Sequence, residues 1–118
     1  MSGAPPTLED IQRYVWAKYV SYDAPPFALD EDRALAVLQS HYREHAMASD
    51  AECFYYGILA YERSFASPAR RKPLLVTALE AFEAYRRQVS SDFAWEAVDD
   101  RYREVLGALG LPGGEPSR

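Results

Sequence analysis

Apolar side chains recur at helical spacing in five blocks along the chain, and each block is bounded by capping residues, proline or glycine. In the first block Leu8, Ile11, Val15, Tyr19 and Tyr22 share one face. Thr7 with Asp10 approximates a capping box at its start, and Pro25 and Pro26 stop it after about Ser21. In the second, Asp30 is the N-cap, Glu31 and Asp32 suit the positive end of the helix dipole, and Ala34, Leu35, Leu38 and Tyr42 form the apolar face to about Met47. Ser49 to Glu52 reads as a capping box for a third helix. Pro68 and the basic run Arg70, Arg71 and Lys72 form the next connection. Pro73 opens a fourth helix, with Leu75, Ala78, Phe82, Tyr85 and Val89 on one face. Asp92 caps a fifth, which carries Trp95, Val98, Tyr102, Val105 or Leu106, and Leu109. Gly110 and Pro112 end it. No run alternates with the period of a strand, so the predicted fold class is all-α with five helices.

The third block carries two stripes. Phe54, Ile58, Tyr61 and Phe65 are bulky and predict core positions. Cys53, Gly57, Ala60 and Ser64 are small and predict helix packing, with the backbone of another helix approaching closely. Glycine inside a helix costs about 1 kcal/mol relative to alanine, which close packing at Gly57 would offset.

The blocks also repeat. Tyr14 to Tyr19 (YVWAKY) parallels Tyr56 to Tyr61 (YGILAY), and Ala34 to Leu38 parallels Ala78 to Phe82. The chain therefore reads as two helical hairpins and one further helix. Phe54, Gly57, Ile58 and Tyr61, followed by Ala78 and Phe82, resemble the tetratricopeptide repeat family, whose second helix reads Ala-x-x-x-Phe. Gly-Ile stands where that pattern has Leu-Gly, and Tyr85 stands where a small residue is usual. The first hairpin matches through Trp16 or Tyr19 and through Ala34 and Leu38. The connections Asp23–Leu29 and Ala66–Lys72 are longer than the family's short turn, and both repeats exceed the usual length of about 34 residues. The resemblance implies two hairpins closed by a C-terminal capping helix, and a non-enzymatic scaffold for a protein or peptide. The alternative arrangement is an irregular helical bundle.

Composition narrows the class further. At 118 residues, 48% hydrophobic and 26% charged, the expected organisation is one helical domain over 7–111, between a disordered lead (1–6) and a flexible tail (112–118). A net charge of −5 opposes a nucleic-acid backbone. No apolar stretch approaches the roughly 20 residues that cross a membrane. The single cysteine forms no internal disulfide, and the first ten residues carry no basic segment followed by an apolar run, so a cytoplasmic protein is expected.

His41, Glu44 and His45 match an H-x-x-E-H zinc-peptidase pattern, with the histidines one helical turn apart. A third protein ligand is missing, so no metal, cofactor or catalytic residue is assigned. A metal-dependent hydrolase is the remote alternative. Cys53 reads as a buried, inert thiol. Nine tyrosines and a basic connection on an acidic chain point instead to a binding surface. Tyr14, Trp16, Tyr55 and Tyr56 are the candidate exposed aromatics. Arg70, Arg71 and Lys72 are the candidate cations, and an acidic segment of a partner is their natural complement. The competing assignment is a small structural subunit that self-associates.

Overall fold

A computed structural model of the chain describes residues 6–45, 50–88 and 92–112. The fold is all-α, and no strand occurs among the described residues. The helices are α1 (Leu8–Val15), α2 (Glu31–His45), α3 (Asp50–Ala66), α4 (Arg71–Gln88) and α5 (Asp92–Ala108). A π-helical turn, Trp16–Val20, continues α1, and a short 3-10 turn, Pro68–Arg70, precedes α4. The chain divides into two compact units, residues 1–46 and 47–118.

In the first unit the caps follow the sequence. Thr7 Oγ1 accepts from the Asp10 N–H at 3.1 Å. Asp30 Oδ1 accepts from the N–H groups of Asp32 and Arg33 at 3.1 and 3.2 Å. Ile11, Val15, Ala34 and Leu35 are fully buried. Tyr22 departs from expectation. It does not join the α1 face but is 80% exposed, because the π-turn winding ends at Ser21 and Tyr22 itself adopts the left-handed conformation (φ 56°). That turn brings the Asp23 N–H onto the Ala17 carbonyl at 2.7 Å. A left-handed backbone costs an L-residue about 1–2 kcal/mol, and glycine avoids it. Tyr22→Gly is therefore expected to stabilise the first unit by about 0.5–1 kcal/mol, after glycine's own entropy is counted. A denaturation midpoint that stays put or falls would show that the tyrosine ring contributes something its exposure hides.

In the second unit α4 buries Leu74, Leu75, Ala78, Ala81, Phe82 and Tyr85, the spacing of a helix with one apolar face. Nearly every residue of α3 from Cys53 to Tyr61 is buried, so its apolar positions run all round the helix. Both α4 and α5 pack on α3. The contacts fix the directions. At one end the Phe54 ring meets Tyr85 at 5.5 Å, Tyr85 stacks on Trp95 at 6.4 Å, and Gln88 Nε2 donates to Cys53 Sγ at 3.4 Å. Towards the other end the Tyr61 hydroxyl donates to Glu104, and Arg101 pairs with Glu62 at 3.7 Å. Helices α3 and α5 thus run parallel, with α4 antiparallel between them in sequence. Helix α5 closes with Gly110 at φ 72°, the Gly110 N–H on the Gly107 carbonyl (3.1 Å) and the Leu111 N–H on the Leu106 carbonyl (2.8 Å).

Cys53, Gly57, Ala60 and Ser64 are all buried. What reaches Gly57 is a side chain and not the backbone that the small stripe suggested. A Cβ at this position would lie 2.5 Å from Cε1 and 2.6 Å from Cδ1 of Phe82. The glycine of one resemblance motif and the phenylalanine of the other therefore touch. Phe65, expected in the core, is 59% exposed because it sits in the last turn of α3, one residue before the helix ends. Its ring meets Tyr61 edge-on at 5.1 Å.

Several sequence assignments lie outside the described residues: the disordered lead over 1–5, the run of the second helix to Met47, the Ser49–Glu52 capping box, Val89 on the apolar face of the fourth helix, the side chain of Asp92 as a cap, and the flexible tail over 113–118.

Candidate functional site

Two constellations stand out, one in each unit. The first is centred on Glu31, only 8% exposed. Tyr14 Oη donates to Glu31 Oε2 at 2.7 Å, Tyr19 Oη donates to Oε1 at 2.5 Å, and Lys18 Nζ sits 2.5 Å from Oε2 and 3.3 Å from Tyr14 Oη. The π-turn explains why three side chains reach one carboxylate. Its bond from the Ser21 N–H to the Trp16 carbonyl spans five residues, and winding of that pitch stacks residues five apart, so Tyr14 and Tyr19 share a face with Lys18 between them. The ammonium also lies 5.6 Å from the Tyr14 ring centroid and 5.2 Å from that of Tyr19.

Burial works against the charged form of Glu31, but hydrogen bonds from Lys18, Tyr19 and Tyr14 outweigh it and hold the pKa below the usual carboxylate value. The hydrogen bond to Glu31 pushes Lys18 up. Burial, then the neighbouring carboxylate, pushes both phenols up. All four groups keep their ordinary neutral-pH forms. A carboxylate saturated by three donors is a poor base, and a strongly protonated lysine is a poor nucleophile. The cluster is built to fasten α2 to the π-turn. Sequence reading placed Glu31 as a dipole partner and Tyr14 as an exposed aromatic. Tyr14 is 6% exposed, since its hydroxyl must reach the buried carboxylate. The pattern Tyr14-x-x-x-Lys18-Tyr19 was visible, but nothing local named Glu31 as the group on which it converges.

The second constellation is one end of the second unit. Because α3 and α5 run parallel, the last turn of α3, the first turns of α4 and the end of α5 gather there. The described residues expose five large apolar side chains, and three of them lie at this end: Phe65 (59%), Val76 (39%) and Leu111 (41%). Arg70, Arg71 and Lys72, just before and at the start of α4, are exposed as well. Arg71 and Lys72, read as connection in the sequence, form the first turn of α4, because the link after Ala66 shortens to Ser67 and the 3-10 turn. That first turn holds no acid. No Asp or Glu occurs between Glu62 and Glu80. Glu62 pairs with Arg101, and Glu104 accepts from the Tyr61 hydroxyl.

The remaining candidates separate. Trp16 is 49% exposed on the π-turn. Tyr55 is half-buried, its ring edge-on to Phe54 at 5.3 Å, and burial raises its pKa. Tyr56, expected to be exposed, is 7% exposed, because α3 is buried all round at this level. His41 is half-buried with its ring edge-on to Tyr42 at 5.1 Å, Glu44 is exposed, and the side chain of His45 lies outside the described residues. Among the described residues no three His, Cys, Asp or Glu side chains converge as a metal-binding group. No helix among them is long and apolar enough to cross a membrane.

No protein-family model, curated protein or solved structure matches this chain.

Proposed function

We propose that this chain is a non-enzymatic adaptor or scaffold that holds a protein or peptide partner at the Phe65–Leu111 end of its second unit. The observation that carries this reading is that three exposed apolar side chains and three exposed cations all belong to the last turn of α3, the turn before α4 and its start, and the end of α5, on a chain of net charge −5. Large apolar side chains that water surrounds at one place mark an interaction surface more often than scattered ones do. Buried aromatic and aliphatic anchors supply most of the energy of an interface, and flanking charges supply rate and selectivity. The tetratricopeptide-like pairing of Gly57 with Phe82 supports a rigid scaffold under that end. In this reading the protein works in the cytoplasm, where Cys53 stays reduced.

The test compares the full chain with a Phe65→Ser/Leu111→Ser variant in affinity capture from the native host. The variant's circular dichroism is expected to match the parent, since both residues are exposed. A specific partner recovered by the parent and lost by the variant supports the reading, while equal recovery by both overturns the location. The same apolar end also suits a second copy of the chain. Sedimentation showing a dimer that the variant abolishes, with no other protein captured, replaces the adaptor with a self-associating subunit.

A further inference from the structure

We infer that Trp95 and Tyr102 form a one-electron relay: Trp95 is oxidised by a radical oxidant in solution and is restored by an electron from Tyr102. The inference is independent of the adaptor reading and rests on side chains that reading does not use. Three observations carry it.

The first is ring contact. Trp95 and Tyr102 are seven residues apart on α5, hence two turns apart on one face. Their rings meet edge to face at 5.2 Å, and Trp95 also stacks on Tyr85 of α4 at 6.4 Å. Indole and phenol are among the side chains that give up an electron most readily, and rings in contact exchange one without an intervening carrier. Trp95 is 9% exposed, so an edge of the indole reaches solvent, and Tyr102 is half-buried.

The second is that each ring has a carboxylate on the proton it must lose. Trp95 Nε1 donates to Asp99 Oδ1 at 3.0 Å, one turn further along α5, and Arg103 Nε holds the other oxygen of Asp99 at 3.1 Å. The Tyr102 hydroxyl donates to Glu83 Oε2 of α4 at 3.4 Å. Burial of an indole or a phenol asks only for an acceptor. Both acceptors here are carboxylates, which can take the proton as well as hold it.

The third is charge. The Arg86 guanidinium lies 4.5 Å from the Trp95 ring centroid. It is attracted to the neutral indole and repelled by the radical cation, so loss of the electron is coupled to loss of the Nε1 proton.

The oxidant takes one electron from Trp95 and becomes its reduced anion, while the Nε1 proton passes to Asp99 and leaves a neutral indolyl radical. Tyr102 then gives an electron to Trp95 and its hydroxyl proton to Glu83, and Asp99 returns the first proton to Nε1. Indole and Asp99 are restored, with a phenoxyl radical at Tyr102 and a proton on Glu83. At neutral pH a phenol that can shed its proton is oxidised more easily than an indole, which sets the direction. A thiolate in solution resets Tyr102 by supplying one electron, and Glu83 returns the proton.

Pulse radiolysis of the full chain carrying Trp16→Phe, which leaves Trp95 as its one indole, tests this. The azide radical oxidises indole in preference to phenol, so the indolyl absorption band reports Trp95. That band is expected to decay as the phenoxyl band rises, at one shared rate that protein concentration does not change. Tyr102→Phe should remove the shared phase, and Tyr85→Phe should leave it. Glu83→Gln should slow it about tenfold or more. Glu83 is exposed, so its replacement leaves the packing intact. A shared phase that survives Tyr102→Phe, or is lost in Tyr85→Phe, overturns the pairing. An unchanged rate in Glu83→Gln overturns the proton route. No indolyl band, an indolyl decay without a matching phenoxyl rise, or a rate proportional to protein concentration overturns the relay.

Discussion

Glu31→Ala is expected to destabilise the first unit by about 2–4 kcal/mol. The substitution removes the acceptor of two phenols and the counter-ion of an ammonium at once. A buried hydroxyl left without an acceptor costs about 1–3 kcal/mol. Tyr14 is deeply buried and bears that cost in full, while Tyr19 is only half-buried and bears less. Lys18 adds little, because its side chain is 41% exposed and can turn to water. Hydrogen exchange of the amides in α1, the π-turn and α2 measures the loss directly. Glu31→Gln separates shape from charge: it can still accept from one phenol, and about half the loss is expected. The pH dependence has a fixed sign. The folded-state pKa of Glu31 lies below the ordinary carboxylate value, so its stabilisation is complete above that ordinary value and disappears as acid carries the pH through the lower folded value. Other carboxylates titrate in the same range. The diagnostic quantity is thus the difference between parent and Glu31→Gln, constant at neutral pH and shrinking in acid. A difference that does not shrink would remove the charged pin.

Gly57→Ala is expected to destabilise the second unit by about 1–2 kcal/mol, although alanine gains roughly 1 kcal/mol in helix propensity. The added Cβ falls 2.5 Å from Phe82 Cε1, closer than carbon atoms pack, and the Phe82 ring is fully buried and cannot step aside. Gly57→Leu should cost about 3 kcal/mol or more. Phe82→Leu creates a cavity by itself but makes room for the methyl of alanine. In a double-mutant cycle Gly57→Ala should then cost less in the Phe82→Leu background than in the parent, with a coupling of about 1 kcal/mol. Urea denaturation of the four proteins decides it. Stabilisation by alanine in the parent background would mean that the two helices stand further apart here.

These two sites also show what the chain made legible. The helices were readable because their signals are local: Thr7 and Asp30 cap within three residues, and Gly110 ends α5 by its own backbone freedom. Gly57 was legible as a close contact because glycine has little other reason to interrupt a helix. Its neighbour was not, since which residue fills the space depends on how α4 is rotated. Glu31 does stand in the first turn of α2 as expected, but its second role was hidden for the same reason. A glutamate in a first turn has a sufficient local explanation, and the three donors that bury it lie 12 to 17 residues away. Tyr14 and Tyr56 were placed beside the apolar stripes, yet one is drawn in by that carboxylate and the other lies where α3 has no exposed side. Phe65 failed in the opposite direction. Its spacing fits the core stripe, but the stripe outlasts the helices that cover it.

The Glu31 pin also bears on the order in which the protein is made. All four of its groups lie within a stretch of chain completed before the first residue of α3 is added. A loop of that size closes in well under a microsecond, whereas the ribosome adds only about 5–20 residues per second. The partner of Tyr61 lies 43 residues beyond it, so the second unit must wait seconds for Glu104 after its central helix has been synthesised. During that interval α3, apolar on every side, is the segment most exposed to wrong partners, while the first unit has long had every group it needs to close.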